Sequence, residues 1–330
     1  MPPLLEVKDL TVQFDTEVGP LTAVNSVSFR VNEGEVLGVV GESGCGKSVT
    51  AMSILRLIPR PPGRFVNGEI LFKGQDLLSL PINELRKIRG KDISMIFQEP
   101  MTALSPLKRV GRQMVESLRI HDRDLTKAQA WATATQWLSS VGIPEPAECM
   151  HNYPFQLSGG MRQRVMISMA LMLHPALIIA DEPTTALDVT IQAQVFDLMT
   201  QMKAADTAML LITHDMGVIW ELCDRVIVMY ASHIVEEGTK ADIFEHPRHP
   251  YTRGLLRAMP QLDADAEQLE AIEGQVPSPL YYPQGCNFYD RCPIAIERCR
   301  TEEPPLERVP DGRLVACFRA SEQTESGESL

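Results

Sequence analysis

The chain has 330 residues, 44% of them apolar and 22% charged, ordinary proportions for a soluble globular protein with room for more than one domain. Its 31 basic and 43 acidic residues leave a net charge of −12, a field that repels phosphate backbones and argues against nucleic acid as the main partner. No stretch reaches the ~18 uninterrupted apolar residues of a spanning helix, and the first residues lack the basic and apolar regions of a secretory signal, so a cytosolic chain is expected.

Leu5, Val7, Leu10, Val12 and Phe14 recur roughly every second residue, and Val24 to Val31 follows suit, so the chain opens as β-structure. Glu35 to Val40 is a short apolar strand running into a glycine-rich turn, and Val49 to Ile58 has helical spacing ended by Pro59 and Pro61-Pro62-Gly63. Arg86 to Lys91, the densest basic patch, reads as a solvated helix face. Further strands are predicted at 69–73, 93–97, 177–180, 209–213 and 226–230, and helices at 111–119, 126–141, 159–173, 190–204 and 216–223. Between Glu99 and Leu173 the pattern is almost purely helical; after about Met259 it dissolves into proline-rich, acidic and cysteine-containing sequence with a polar tail from Ser321 to Leu330. These features predict a parallel-sheet α/β core, a helical subdomain inserted at about 99–175, and a small irregular C-terminal module with a disordered acidic tail.

Gly41-Glu42-Ser43-Gly44-Cys45-Gly46-Lys47-Ser48 matches G-x4-G-K-[ST] between a strand and a helix. The glycines let several backbone N–H groups turn toward phosphate oxygens, Lys47 brings a mobile charge to the β- and γ-phosphates, and Ser48 offers Mg²⁺ a hydroxyl. The helix from Val49 directs its positive end at the same anion. The strand 177–180 ends in Asp181 and Glu182. Neighbouring side chains there point to different sides, so Asp181 is expected in the metal's shell and Glu182 beside an attacking water.

Leu157-Ser158-Gly159-Gly160-Met161 lies between these elements and opens a helix. It resembles the LSGGQ signature of the ATP-binding cassette (ABC) ATPases, and further motifs of that family follow in order over residues 4–258. Gln98 resembles the Q-loop glutamine, Ala186-Leu187-Asp188 the D-loop, His214 the H-loop histidine, and Phe14 the aromatic that stacks on adenine. Singly, each residue has a plain reading: Ser158 as a helix cap, His214 and Phe14 as core residues, Gln98 as a strand end. The ordered set carries the functional one. The resemblance implies a P-loop fold with an antiparallel β subdomain and the inserted helices. It also implies ATP held by Phe14, Gly41, Ser43, Gly44, Cys45, Gly46, Lys47, Ser48, Val49, Gln98 and Asp181, with Ser158, Gly159, Gly160, Met161 and Asp188 contacting nucleotide. Mg²⁺ would sit at Ser48 and Gln98. In catalysis Glu182 would polarise water, His214 hold the γ-phosphate and Gln98 sense Mg²⁺ and water. Two departures stand out. Met161 replaces the usual glutamine and Phe14 the commoner tyrosine; the anion-binding groups and the stacking face remain.

Val49-Thr50 after the loop, Pro183 to Gln194, and His249-Pro-Tyr-Thr-Arg-Gly-Leu-Leu256 resemble the oligopeptide/dipeptide (and nickel) importer branch, as do Gly274 to Ser278 and the final cysteines. That branch implies an ATPase subunit on the cytoplasmic face of the inner membrane, paired head to tail with a second, different cassette. Two transmembrane permease subunits and an extracytoplasmic peptide-binding protein would complete the assembly. The competing reading is a soluble cassette ATPase acting on nucleic acid or ribosomes, which the single cassette, the acidic charge and the lack of coiled-coil heptads disfavour. Cys286, Cys292, Cys299 and Cys317 are spaced C-x5-C-x6-C-x17-C. Disulfides are disfavoured in the cytosol and C-x2-C zinc knuckles are missing; four thiolates suit a [4Fe–4S] cluster, toward which the branch resemblance points, with zinc or free thiols as alternatives. Cys45, among loop N–H groups and Lys47, is a candidate thiolate or a tolerated small residue. Cys149 and Cys223 read as buried filler.

Overall fold

The computed structural model describes residues 2–98, 103–184, 189–259 and 272–320, with backbone only for 189–191. The chain forms two compact units, one from 1–32, 36–78 and 211–330, the other from 33–35 and 79–210.

The first unit begins with a four-stranded antiparallel sheet. Strands β1 (Leu5–Thr16) and β2 (Gly19–Val31) form a hairpin. After β3 (Val36–Val40) and α1 (Lys47–Ile54), strands β4 (Gly63–Phe72) and β5 (Gln75–Asp76) complete the order β2-β1-β4-β5. Leu5, Val7, Leu10 and Val12 are buried. Their period of two slips between Val7 and Leu10, where the register shifts against both neighbours and Asp9 takes φ 46°: the sequence irregularity is a β-bulge. Gly68 lies against it with φ 110°, and a Cβ there would come within 2.7 Å of Leu10 Cα and the Lys8 carbonyl oxygen, so no other residue fits.

The second unit contains α2 (Ile82–Ile88), β6 (Ile93–Ile96), α3 (Val110–His121), α4 (Lys127–Ser140), α5 (Pro146–Cys149), α6 (Gly159–Leu171), β7 (Leu177–Asp181) and α7 (Val189–Met202). Only Leu85 of α2 is buried, and Arg86 and Lys87 lie exposed on it as the expected solvated helix face, whereas the half-buried Arg89 and the exposed Lys91 of the patch follow the helix. β6 and β7 pair in parallel. The helices share a core in which Val110, Met114 and Leu118 of α3 meet Ala130, Ala134 and Leu138 of α4, the i, i+4 stripes that amphipathic helices turn inward. Thr126 and Gln129 cap α4 reciprocally, which fixes where that helix starts.

The chain leaves this unit along β8 (Ala208–Ile212) and continues in the first through α8 (Met216–Leu222), β9 (Arg225–Tyr230), β10 (His233–Thr239), α9 (Lys240–Glu245) and α10 (Pro250–Arg257). The segment 272–320 adds α11 (Glu297–Thr301), β11 (Glu307–Arg308) and β12 (Leu314–Val315). β3 and β9 are parallel, as expected, but β10 and β12 extend the sheet antiparallel in the order β11-β12-β10-β9-β3. β10 escaped sequence reading because two of its buried residues are glutamates. Glu236 accepts the backbone N–H groups of Arg248 and His249 at 2.8 and 2.9 Å, and Glu237 pairs with Arg225 at 2.6 Å. Among the described residues no helix is long and apolar enough to cross a membrane.

Candidate functional site

The glycine-rich loop 41–48 leaves the fully buried β3 at Gly41, where φ is 149° and a Cβ would lie 2.1 Å from the Met229 carbonyl oxygen. Gly44 (φ 82°) and Gly46 (φ 105°) continue the turn, and α1 starts at Lys47. The Lys47 ammonium, with its residue only 7% exposed, donates to the carbonyls of Gly41 at 2.7 Å and Glu42 at 3.1 Å. Thr50 Oγ1 donates to the Gly46 carbonyl at 2.9 Å and fastens the loop to the first helical turn. Ser43 and Gly44 are at the surface, whereas Cys45 is buried. Burial pushes the Cys45 thiol up and outweighs the opposing pull of Lys47, which favours the second of the two sequence readings, a tolerated small residue packed in the loop, over the thiolate. Ser48 and Val49 occupy the first turn of α1. Phe14 is half-buried on β1, its ring near Gly63, and His214 is exposed just after β8, so it is not a core histidine.

Gln98, Asp181, Glu182 and the 158–161 segment belong to the second unit. Asp181 ends β7 and is buried. Glu182 follows at φ 44°, a left-handed conformation rare for a side-chain-bearing residue and concentrated at functional positions. Gln98, exposed at the end of β6, donates from Nε2 to Glu182 Oε2 at 2.9 Å. The structure thus joins two residues 84 positions apart that the motif order places in one reaction. Ser158 is the N-cap of α6, its Oγ accepting the Met161 N–H at 3.3 Å. Gly159 and Gly160 open the helix, and Met161 packs on the helical core. This accounts for methionine where the family pattern has glutamine. Ala186 to Asp188 lie outside the described residues.

Two contributors escaped the motif reading. Gln163 on α6 is fully buried and donates to the Pro183 carbonyl, tying the 158–161 helix to the residue after Glu182. Tyr251 on α10, within the 249–256 segment read only as a branch marker, receives the Glu42 N–H on its hydroxyl at 2.8 Å. No local pattern announces either one, because both act across long sequence separations.

The sequence matches the profile "ABC transporter" over residues 24–185 and "Oligopeptide/dipeptide transporter, C-terminal region" over 235–299. It is 50% identical over 321 residues, 97% of this chain and 96% of the other, to the "Probable peptide ABC transporter ATP-binding protein y4tR" of Sinorhizobium fredii. The chain belongs to the ATP-binding subunits of ABC transporters. The oligopeptide transport ATP-binding protein OppD of Escherichia coli is 49% identical over 97% of this chain and 94% of its own. The dipeptide transport ATP-binding protein DppD of Bacillus subtilis is 47% identical over 98% and 97%. Among solved structures, the ABC cassette MJ0796, titled a dimer in a post-hydrolysis state bound to ADP and Pi, superposes with a TM-score of 0.64 at 26% identity, over 72% of this chain and 98% of its own. The cassette fold expected from the sequence is therefore shown.

In this ABC subunit, Cys286, Cys292, Cys299 and Cys317 line one small cavity with His249, Phe288 and Phe318. Cys286 N–H donates to the Cys299 carbonyl at 2.8 Å. Burial pushes the Cys286 thiol up to about 12 and Cys317 to about 11, each raised further by the other cysteines, so without a cation these thiols are neutral. Among the described residues no three His, Cys, Asp or Glu gather closely enough to hold a single metal ion. The four cysteines share this cavity, and sulfur is the donor type that an iron–sulfur cluster takes. Cys149 and Cys223 are buried, as expected of filler.

Proposed function

We propose that this chain is the ATP-hydrolysing subunit of a peptide importer, acting on the cytoplasmic face of the inner membrane through separate permease subunits. The observation that carries the reading is near-full-length identity to peptide-transporter ATP-binding proteins that runs on into the C-terminal region, beyond anything ATP hydrolysis requires. In this reading residues 41–49 hold the triphosphate, Phe14 stacks on adenine, and Lys47 neutralises the β- and γ-phosphates. Oxygen donors suit a hard cation, and Ser48, Gln98 and Asp181 would hold Mg²⁺, which screens phosphate charge. Glu182, aimed by Gln98, polarises the attacking water, and His214 contacts the γ-phosphate.

The N-terminus of α6, with Ser158, Gly159, Gly160 and Met161, serves the nucleotide of a second cassette in a head-to-tail pair, joined by Asp188. A helix end facing a phosphate favours closure by up to about 2 kcal/mol. ATP then holds the pair closed and hydrolysis releases it. The partner cassette is a different chain, and a peptide-binding protein outside the membrane delivers the solute. The four C-terminal cysteines would hold a [4Fe–4S] cluster, which supplies cross-linking to a segment with few buried apolar groups. The shared cavity and the four-sulfur donor set support it.

Co-expression with permease and partner cassette, followed by ATPase assay in proteoliposomes, tests the transport reading. Peptide-loaded binding protein should stimulate hydrolysis, and stimulation by ribosomes or DNA instead would overturn it. For the cluster, anaerobic purification should give a coloured protein with iron and acid-labile sulfide. A colourless, iron-free product ends that part of the proposal.

A further inference from the structure

One side chain of the cysteine segment reaches the phosphate loop. Arg291, between Cys286 and Cys292, forms a two-pronged ion pair with Glu42, Nη1 to Oε2 at 2.8 Å and Nη2 to Oε1 at 3.1 Å. Its side chain is 4% exposed, and every arm of the guanidinium is engaged. Nη1 also donates to the Tyr230 hydroxyl at 3.3 Å, Nε to the Glu273 carbonyl at 2.9 Å and Nη2 to the Ile272 carbonyl at 3.2 Å. The rings of Tyr230 and Phe288 lie 5.7 and 5.9 Å from its Cζ. Gly274 at φ 82° leaves room for its stem, since a Cβ there would come within 3.2 Å of Arg291 Cγ.

Glu42 in turn shapes the loop. Its carbonyl accepts from the Lys47 ammonium at 3.1 Å and from the Cys45 N–H at 3.3 Å, and its own N–H is held by Tyr251. A second contact reaches the loop from the same segment. Tyr282 bonds Ser232 Oγ at 2.7 Å and Asn287 donates to the Ala231 carbonyl at 3.1 Å, while the Ser232 N–H donates to the Cys45 carbonyl at 3.1 Å. The charge logic is equally direct. Glu42 places a carboxylate on a loop that must admit a polyanion, and a bidentate guanidinium is a strong cationic counterweight to it.

We propose that Arg291 is a positioning residue of the nucleotide site: it holds the phosphate loop through Glu42 and cancels that residue's charge, so the folded cysteine segment sets the affinity for nucleoside triphosphate. This rests on reading residues 41–48 as the ATP loop. Steady-state hydrolysis and MgATP binding by the full-length chain test it. Arg291→Ala should raise the ATP KM about tenfold, within the range typical of coupled sites, while kcat stays within about twofold. Glu42→Gln, which removes the anion and keeps the cation, should lower KM about twofold. Adding it to Arg291→Ala should bring KM back to within about threefold of wild type. A purely structural brace predicts no such rescue.

An unchanged KM in Arg291→Ala overturns the proposal, as does a double variant no better than the single one. If Arg291→Ala does not fold, Arg291→Lys, which keeps the charge and loses the fork, should raise KM about threefold; no change there refutes it equally. Lys47→Ala serves as the control: MgATP binding retained by that variant would fault the reading of the loop itself, whatever Arg291 does.

Discussion

Glu182→Gln separates chemistry from scaffolding at the proposed site. The left-handed backbone at φ 44° carries glutamine as readily as glutamate, so the substitution adds no backbone strain. The Gln98 Nε2 donor at 2.9 Å still finds an oxygen, but the bond changes from charge-assisted to neutral and loses about half its strength, about 1 kcal/mol. For a chain of this size that shifts the melting temperature by about 1–2 °C. Turnover should fall far more, by about 10²–10⁴, the usual contribution of a positioned general base. ATP binding should persist and the closed pair should accumulate. Phosphate release, a thermal melt and size exclusion with MgATP read these three quantities on one preparation. Turnover within about tenfold of wild type would remove Glu182 from the role. Loss of ATP binding would make it a structural residue.

Other consequences are as concrete. Cys45, buried with its thiol pushed up, should label more slowly with maleimide at neutral pH than the half-buried Cys292 or Cys299 of a metal-free preparation; mass-spectrometric mapping that finds Cys45 first contradicts this. Thr126→Ala removes half of the α4 capping box and should cost about 1 kcal/mol, read by denaturant titration, with ATP KM unaltered. His233 and Glu303 form an ion pair at 2.8 Å. Burial opposes charge on His233, but the Glu303 carboxylate and the Ala231 carbonyl outweigh it and raise the imidazole above 6.5, while the His233 bond lowers Glu303 below 4.5. The histidine's contribution is full below 6.5 and fades as pH rises through its raised value; the glutamate's is full above 4.5 and fades as pH falls through its lowered one. Glu303→Gln should therefore destabilise most at pH about 5–6 and progressively less in alkaline solution, and a pH-independent loss of stability refutes the pair's charge.

The parts of the fold that could be read were those whose signal is local. β3 and β7 are apolar runs closed by glycine or acid, and the 158–171 helix begins with its own cap, so short windows suffice. β10 is not legible because Glu236 and Glu237 read as solvent-facing charges, whereas they are buried on partners 12 or 13 residues away, Arg225 and the 248–249 backbone, and a hydrophobic pattern carries no sign of such pairing. The β1 bulge was visible as a slipped period, yet its meaning needed Gly68 from another strand. At the site, residue types were legible from motif order, but not Gln163 or Tyr251, whose positions hold no catalytic atom and matter only for what they hold in place.

A glutamate can stand second in the proposed phosphate loop because a distant cation answers it. Read locally, Glu42 opposes its loop's purpose, since a carboxylate repels the ligand the glycines and Lys47 are there to receive. The conflict disappears only when Arg291, 249 residues away, is folded against it. A local disfavour with a distant compensation makes the loop's charge state conditional on the C-terminal segment being in place. The carboxylate is what turns packing into coupling: with glutamine at 42 Arg291 would keep at most one hydrogen bond to an uncharged oxygen, and loss of Arg291 would leave no stranded carboxylate in the loop. The rescue of Arg291→Ala by Glu42→Gln measures that difference directly.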